Sequence, residues 1–318
     1  MRKIVQVPSD GWLLAGILNT PAVPKNGKRI GVPIFFDGMT SKSGTHFFYR
    51  KVADALSQAG YYALRCDNRG LCDSPEINPL AFDLRIADAM NMMRWFKTHE
   101  KLDKVVPWGL CIGSAVAIHA ASAMKREEAP DALMLCNILC DSEIVTTAEL
   151  GFARVEPKRI LSEMFLRGNL LKKLLLAPTK LHIYRQNWTK IGRGLWARYV
   201  KKIPGLDQTR AGIAEVPGLL QRYDKPHVLI YGEIDTYRTS FLERVNPGDR
   251  LGLGRKATPP HWFMIKDATH TFASAKQAKD AIATSIEWLD AFVEGRDPGP
   301  HFSYARREDA SVSHSPAA

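Results

Sequence analysis

No run of eighteen apolar residues occurs in the 318-residue sequence, so no membrane-spanning helix is expected. Met1-Arg2-Lys3-Ile4-Val5-Gln6-Val7-Pro8 carries charge but no apolar core of a secretory signal, and no leader is expected. There is no P-loop, no dinucleotide-binding glycine fingerprint and no His-Glu-x-x-His. Nucleotide-dependent and zinc-hydrolase chemistry therefore have no motif to rest on, and neither a cofactor nor a metal is expected. Cysteine is sparse and odd in number: Cys66, Cys72, Cys111, Cys136 and Cys140. That fits reduced thiols and a cytoplasmic protein. Cys136 and Cys140 are four apart, but no nearby Cys/His pair completes a zinc set. No nucleic-acid module is present, and nucleic acid is not expected as a partner.

Acidic residues are scarce in one region. Residues 151–210 hold fourteen lysines and arginines against three acids, so this stretch carries the whole net charge of +11. One reading is a solvated helical surface. The other is an anionic partner: a phosphopantetheine-bearing thioester (CoA- or carrier-protein-linked) or a membrane surface. The apolar residues of Ile160–Arg167 and Leu170–Leu176 read more readily as core than as a membrane face.

What is present begins with Val105-Val106-Pro107-Trp108-Gly109-Leu110-Cys111-Ile112-Gly113-Ser114. An apolar strand enters Gly-x-Cys-x-Gly, and a helix of small residues follows. The pattern is that of a sharp strand-to-helix turn with a nucleophile at its apex. Neighbours bearing a Cβ would clash in such a turn, so both flanking positions want glycine. A residue at the amino end of a helix also feels a field that favours an anion, which suits a thiolate. Two later stretches matter. Val228–Gly232 is an apolar strand that runs to Asp235. His261–Ile265 is another, and it leads to His270. Nucleophile, acid, histidine is the chain order of one fold, and on these residues the sequence resembles the α/β-hydrolase superfamily over roughly Met1 to Val293.

The resemblance implies an α/β-hydrolase fold: a mostly parallel central sheet with helices on both faces and an inserted helical cap. Residues 1–140 form the first part of the core and 141–221 a basic helical cap. Residues 222–293 form the second part of the core and 294–318 a disordered tail. Paired strands are expected at Ile4–Val7 and Trp12–Leu18 around Ser9-Asp10-Gly11. Further strands are expected at Ile30–Phe36, Tyr61–Cys66, Lys104–Leu110 and Ala132–Leu139. Helices are expected at Phe47–Ala59, Pro79–His99 and Phe272–Val293. Asn246–Pro260 reads as a glycine- and proline-rich loop.

In such a site Cys111 is the nucleophile, His270 the base and acid, and Asp235 the group that orients the imidazole. Asp141 is the alternative acid. The loop after Ile30–Phe36 usually begins His-Gly in this fold, and here Asp37 replaces the histidine. By position, the backbone N–H groups of Met39 and Ile112 are the oxyanion-hole candidates. His46 could reach the site, His119 reads as structural, and Asp267 as a turn residue. Asp67–Ser74 is similar to the D-x-R-G-x-G-x-S loop of the superfamily, with Cys72 in place of glycine, and its implied role is structural.

Sulfur narrows the chemistry. Cysteine nucleophiles in this fold occur in dienelactone hydrolases, polyester synthases and acyl-CoA N-acyltransferases. Trp-Gly-Leu-Cys, the altered oxyanion loop and the basic stretch together resemble bacterial hydrolases associated with exosortase and exopolysaccharide loci. The expected function is acyl transfer from an ester or thioester through an acyl-cysteine. One alternative is an acyltransferase that passes the acyl group to an amine or alcohol. Another is a non-catalytic hydrolase-fold binding protein.

Overall fold

The computed structural model describes residues 1–36, 38, 40–74, 81–140, 206–235, 237–238 and 261–296. The first hairpin follows from its turn. Strands β1 (Arg2–Ser9) and β2 (Trp12–Asn19) pair antiparallel with Ser9 opposite Trp12. That leaves a two-residue turn, Asp10-Gly11, with φ of 47° and 82°. Positive φ at both positions matches the right-handed twist of the strands, and Asp-Gly is a pair that tolerates it.

Beyond the hairpin the sheet becomes parallel. Strands β3 (Ile30–Phe35), β4 (Tyr62–Cys66), β5 (Lys104–Val105), β6 (Trp108–Leu110), β7 (Leu133–Cys136), β8 (His227–Gly232) and β9 (His261–Ile265) follow. Their order is β1-β2-β4-β3-β6-β7-β8-β9, with β5 also on β3. β2 meets β4 antiparallel, and the pairs from β4 to β9 are parallel. Every residue of β3, β4, β7 and β8 is buried. Strands covered on both faces read as continuous apolar runs, which is why the pattern was visible in the sequence.

Helices α1 (Phe48–Gln58), α2 (Phe82–His99), α3 (Ile112–Ala123), α4 (Leu206–Arg222) and α5 (Ala275–Glu294) form two layers. α1 and α5 touch each other, while α2, α3 and α4 pack together. α4 lies within the stretch expected as the cap. Gly212 gives it close approach: a Cβ there would stand 2.2 Å from the Phe82 ring. The Gly212 carbonyl pairs with His119 Nε2 at 2.8 Å, so His119 spans α3 and α4. α5 starts at a Ser274/Gln277 capping box and ends at Gly295 with φ 68°, a standard start and a standard stop.

One expected strand is divided. The sequence suggests one strand over Lys104–Leu110, but Val106-Pro107 separates β5 from β6. Proline has no N–H to give the ladder, while its carbonyl still accepts from Met134 at 2.9 Å. The chain runs from β3 outward to β4 and then returns to β6 on the other side of β3. In open parallel sheets, ligand sites lie beyond the carboxyl ends of the strands at such a reversal. Among the described residues no helix is long and apolar enough to cross a membrane, and no His/Cys/Asp/Glu cluster could hold a metal ion.

Candidate active site

Cys111 sits beyond the end of β6, in that crevice. It has φ 59° and ψ −121° and is the N-cap of α3. A non-glycine residue there costs on the order of 1–3 kcal/mol and persists only when its surroundings fix it. The surroundings are visible. The Cys111 N–H donates to the Cys136 carbonyl at 3.0 Å, and Ser114 Oγ donates to the same carbonyl at 2.9 Å. A Cβ at Gly109 would meet Ser114 Cα at 2.7 Å, and one at Gly113 would meet the Phe35 carbonyl oxygen at 2.3 Å. Both glycines of the motif are therefore required by backbone packed on backbone. No side chain caps α3 at Cys111; the Ser114 and Ala115 N–H groups turn back to the Cys111 carbonyl, so the Ile112 amide heads the helix without an intrahelical acceptor.

Trp108 holds the strand beneath. It is fully buried, its Nε1 donates to Ser285 Oγ on α5 at 3.0 Å, and Phe48 and Tyr49 meet it edge-on at 6.0 and 6.2 Å.

Asp235 and His270 come from the ends of β8 and β9, beyond the neighbouring β7. Asp235 follows β8 with a fully buried carboxylate. His270 Nδ1 lies 3.1 Å from its Oδ1 and 3.0 Å from its Oδ2. The two loops are pinned to each other: Glu233 N–H donates to Ile265 O and Ile234 N–H to Ala268 O, each at 3.0 Å. Gly232 permits this, since a Cβ there would lie 2.4 Å from Ala268 O. The Tyr237 N–H donates to Asp235 Oδ1 at 3.0 Å, and the Tyr237 ring stands edge-on to His270 at 4.5 Å.

Burial works against a charged His270, yet the imidazole is pushed up to about 10 because the Cys111 sulfur and the Asp235 carboxylate both favour its cation. Cys111 thus lies near enough to act on the ring electrostatically, while Nε2 is buried without a hydrogen bond of good geometry. Burial raises the thiols of Cys66 and Cys136, with no cation beside them strong enough to offset it.

The structure brings Cys111, His270 and Asp235 together and starts α3 at Ile112. Met39 and Asp141 lie outside the described residues. His46 is exposed in a left-handed turn. Asp267 occupies the turn after β9 with φ 55°. The Asp67–Ser74 loop is a structural knot. Asp67, fully buried, accepts from the Lys42 N–H at 2.6 Å and from Lys42 Nζ. Arg69 pairs with Asp88 inside the protein and reaches Ser9 Oγ at 3.2 Å. Lys42 follows the loop that leaves β3, so Asp67 fixes where that loop returns. Gly232 of the Gly-x-x-Asp ending and Asn137 both contribute to the site's framework, but no motif in the sequence marks Asn137. The one available signal for Asn137 was an amide directly after a buried strand.

The alpha/beta hydrolase fold family model matches residues 34–237. No curated protein matches the chain. Among solved structures, the esterase Pf2001 of Pyrococcus furiosus shares 18% identity at a TM-score of 0.60, over 92% of this chain and 91% of that one. Est1E of Butyrivibrio proteoclasticus, solved with ferulic acid, shares 15% at 0.57, over 90% and 99%. A dienelactone hydrolase of Anabaena variabilis shares 16% at 0.55, over 91% and 96%. At these identities the likeness is one of fold. With the family model spanning nearly two thirds of the chain, from β3 through the Asp235 loop, the protein belongs to the α/β-hydrolase fold family.

Proposed function

We propose that this protein transfers an acyl group from an ester or thioester through a covalent intermediate on Cys111. The observation that carries the proposal is His270, held through Nδ1 by Asp235 and driven toward its cation by the Cys111 sulfur. His270, raised toward its cation, takes the proton of the Cys111 thiol as the sulfur attacks. The thiolate attacks the carbonyl carbon and forms a tetrahedral oxyanion. The Ile112 amide, free at the start of α3, is one donor to that oxyanion, and Met39 is the positional candidate for the second. His270 gives its proton to the departing alcohol or thiol as the C–O or C–S bond breaks, leaving an acyl-cysteine. The now neutral imidazole takes a proton from water, which attacks the acyl carbon. The thiolate leaves, and His270 is again the cation beside it.

The esterase and dienelactone hydrolase relatives support ester chemistry. The basic stretch 151–210 favours a CoA- or carrier-linked donor. The elbow's likeness to exosortase-associated hydrolases favours an envelope acceptor.

The test is intact-protein mass after incubation with a panel of acyl esters and thioesters. An adduct in the unsubstituted protein that is lost in Cys111→Ala is expected. An adduct that persists in Cys111→Ala, or turnover that survives it, would overturn the assignment. Clearance of the adduct in buffer with release of free acid marks hydrolysis. A stable adduct discharged only by an amine or alcohol marks transfer.

A further inference from the structure

Asn137 follows β7 directly and is fully buried. Its backbone takes φ 42°, a left-handed value that asparagine tolerates far better than a branched or bulky residue. The turn aims the side chain across two neighbouring chain segments. Oδ1 accepts from the Gly232 N–H at 2.8 Å. Nδ2 donates to the His270 carbonyl at 2.6 Å. The residue's own N–H donates to the Ile230 carbonyl at 2.8 Å. One amide therefore ties the end of β7 to the end of β8 and to the backbone of the histidine itself.

We infer that Asn137 is a positioning residue for His270, setting the imidazole's place between Asp235 and the Cys111 sulfur. The inference rests on the acyl-transfer reading above. Gly232 lies three residues before Asp235, so the Oδ1 contact anchors the acid's loop, and the Nδ2 contact anchors the base. Both ends of the Asp235–His270 pair hang on the same planar group, whose two contacts cannot move independently. Nε2 has no well-formed hydrogen bond of its own. Its approach to sulfur is therefore set by the Nδ1 contacts and by where the backbone of residue 270 is held. The side chain must also be an amide. Aspartate in its place keeps size, left-handed tolerance and the acceptor for Gly232. It loses the donor to His270 and sets a carboxylate oxygen against the carbonyl oxygen.

The readout is the rate of Cys111 alkylation by iodoacetamide, followed from pH 5 to 10 and assigned to Cys111 by peptide mass mapping. It needs no knowledge of the natural substrate. The proteins compared are the unsubstituted chain, His270→Ala, Asn137→Asp and Asn137→Gly. The glycine variant keeps the backbone conformation and removes both side-chain contacts. Displacing a catalytic group by about 1 Å costs on the order of a hundredfold. The expected result is a fall of about tenfold or more at pH 7 for both Asn137 variants, with their pH profiles moved toward that of His270→Ala and near-ultraviolet circular dichroism retained. Asn137 profiles that superimpose on the unsubstituted protein, while His270→Ala departs from it, would overturn the inference and leave the thiol–imidazole reading standing. An unchanged profile in His270→Ala would sink that reading and this one with it. Should neither Asn137 variant fold, hydrogen exchange of the Asn137 side-chain amide in the unsubstituted protein decides. Protection like that of core amides supports the clamp, and rapid exchange refutes it.

Discussion

Gly113→Ala is the sharpest test of how the candidate nucleophile is held. The added methyl would stand 2.3 Å from the Phe35 carbonyl oxygen, 2.4 Å from its carbon and 2.7 Å from the Phe36 carbonyl oxygen. All three are backbone atoms, so no rotamer change relieves the contact. Ordinary contact begins near 3.4 Å, so the start of α3 and the end of β3 must separate by about 1 Å, a displacement of the size that costs a hundredfold in a preorganised site. Overpacking of this kind costs about 1–3 kcal/mol. At roughly 2–4 °C per kcal/mol, the melting midpoint should fall by about 2–12 °C. The separation also moves Cys111 and Ile112 away from the loop that leaves β3. Release of p-nitrophenol from p-nitrophenyl acetate should therefore drop by about a hundredfold. Gly295→Ala is the control. Gly295 has φ 68° with open space around it and lies at the far end of α5, so it should lose about 1–2 kcal/mol from backbone strain and keep its turnover. If Gly113→Ala melts and turns over like the unsubstituted protein, the close-approach argument is wrong.

Asp235→Asn should lower turnover by about 10⁴-fold, because an amide cannot accept from Nδ1–H with both its atoms and favours the wrong imidazole tautomer; steady-state rates check it. The raised proton affinity of His270 makes a signed statement about stability. Its folded value, about 10, lies above the ordinary 6.5. The contribution is therefore complete below about 6.5 and fades as pH rises through about 10. Melting scans from pH 6 to 10 should show a decline that is shallower in His270→Ala. Asp88→Asn should cost about 3 kcal/mol, because it removes the buried partner of the Arg69 guanidinium and leaves only the exposed Asp10 carboxylate at 3.5 Å, and a urea titration measures this directly.

The elbow was legible because its constraint is local. A strained turn admits few residues at its flanks, and Gly109, Cys111 and Gly113 announce it. Asp235 and His270 were legible at one remove, since each follows a buried apolar strand and their order is that of the fold. Helix ends were less so: α2 begins at Phe82 rather than Pro79, and α5 at Ala275 rather than Phe272. Phe272 has φ 50°, so it belongs to the histidine loop, and Ser274 is the true cap. The break at Pro107 was readable in principle, because a proline cannot donate to a ladder, but the apolar run around it masked the interruption. Asn137 was not legible. Its three bonds reach residues 93 to 133 positions away, and no spacing within a segment encodes a contact between strand ends.

Leu110 and Ile230 both stand opposite Cys136 in the sheet, one on each side. Adjacent strands lie about 4.8 Å apart, so the chain that carries the sulfur and the chain that carries the acid are separated by about 10 Å. Cys136 latches the first through its carbonyl, and Asn137 latches the second. A dipeptide with no reactive role thus serves as the gauge for a reactive trio, and the span between the thiol and the carboxylate is inherited from the spacing of the sheet. A glutamate in place of Asp235 would be one carbon too long for that gauge.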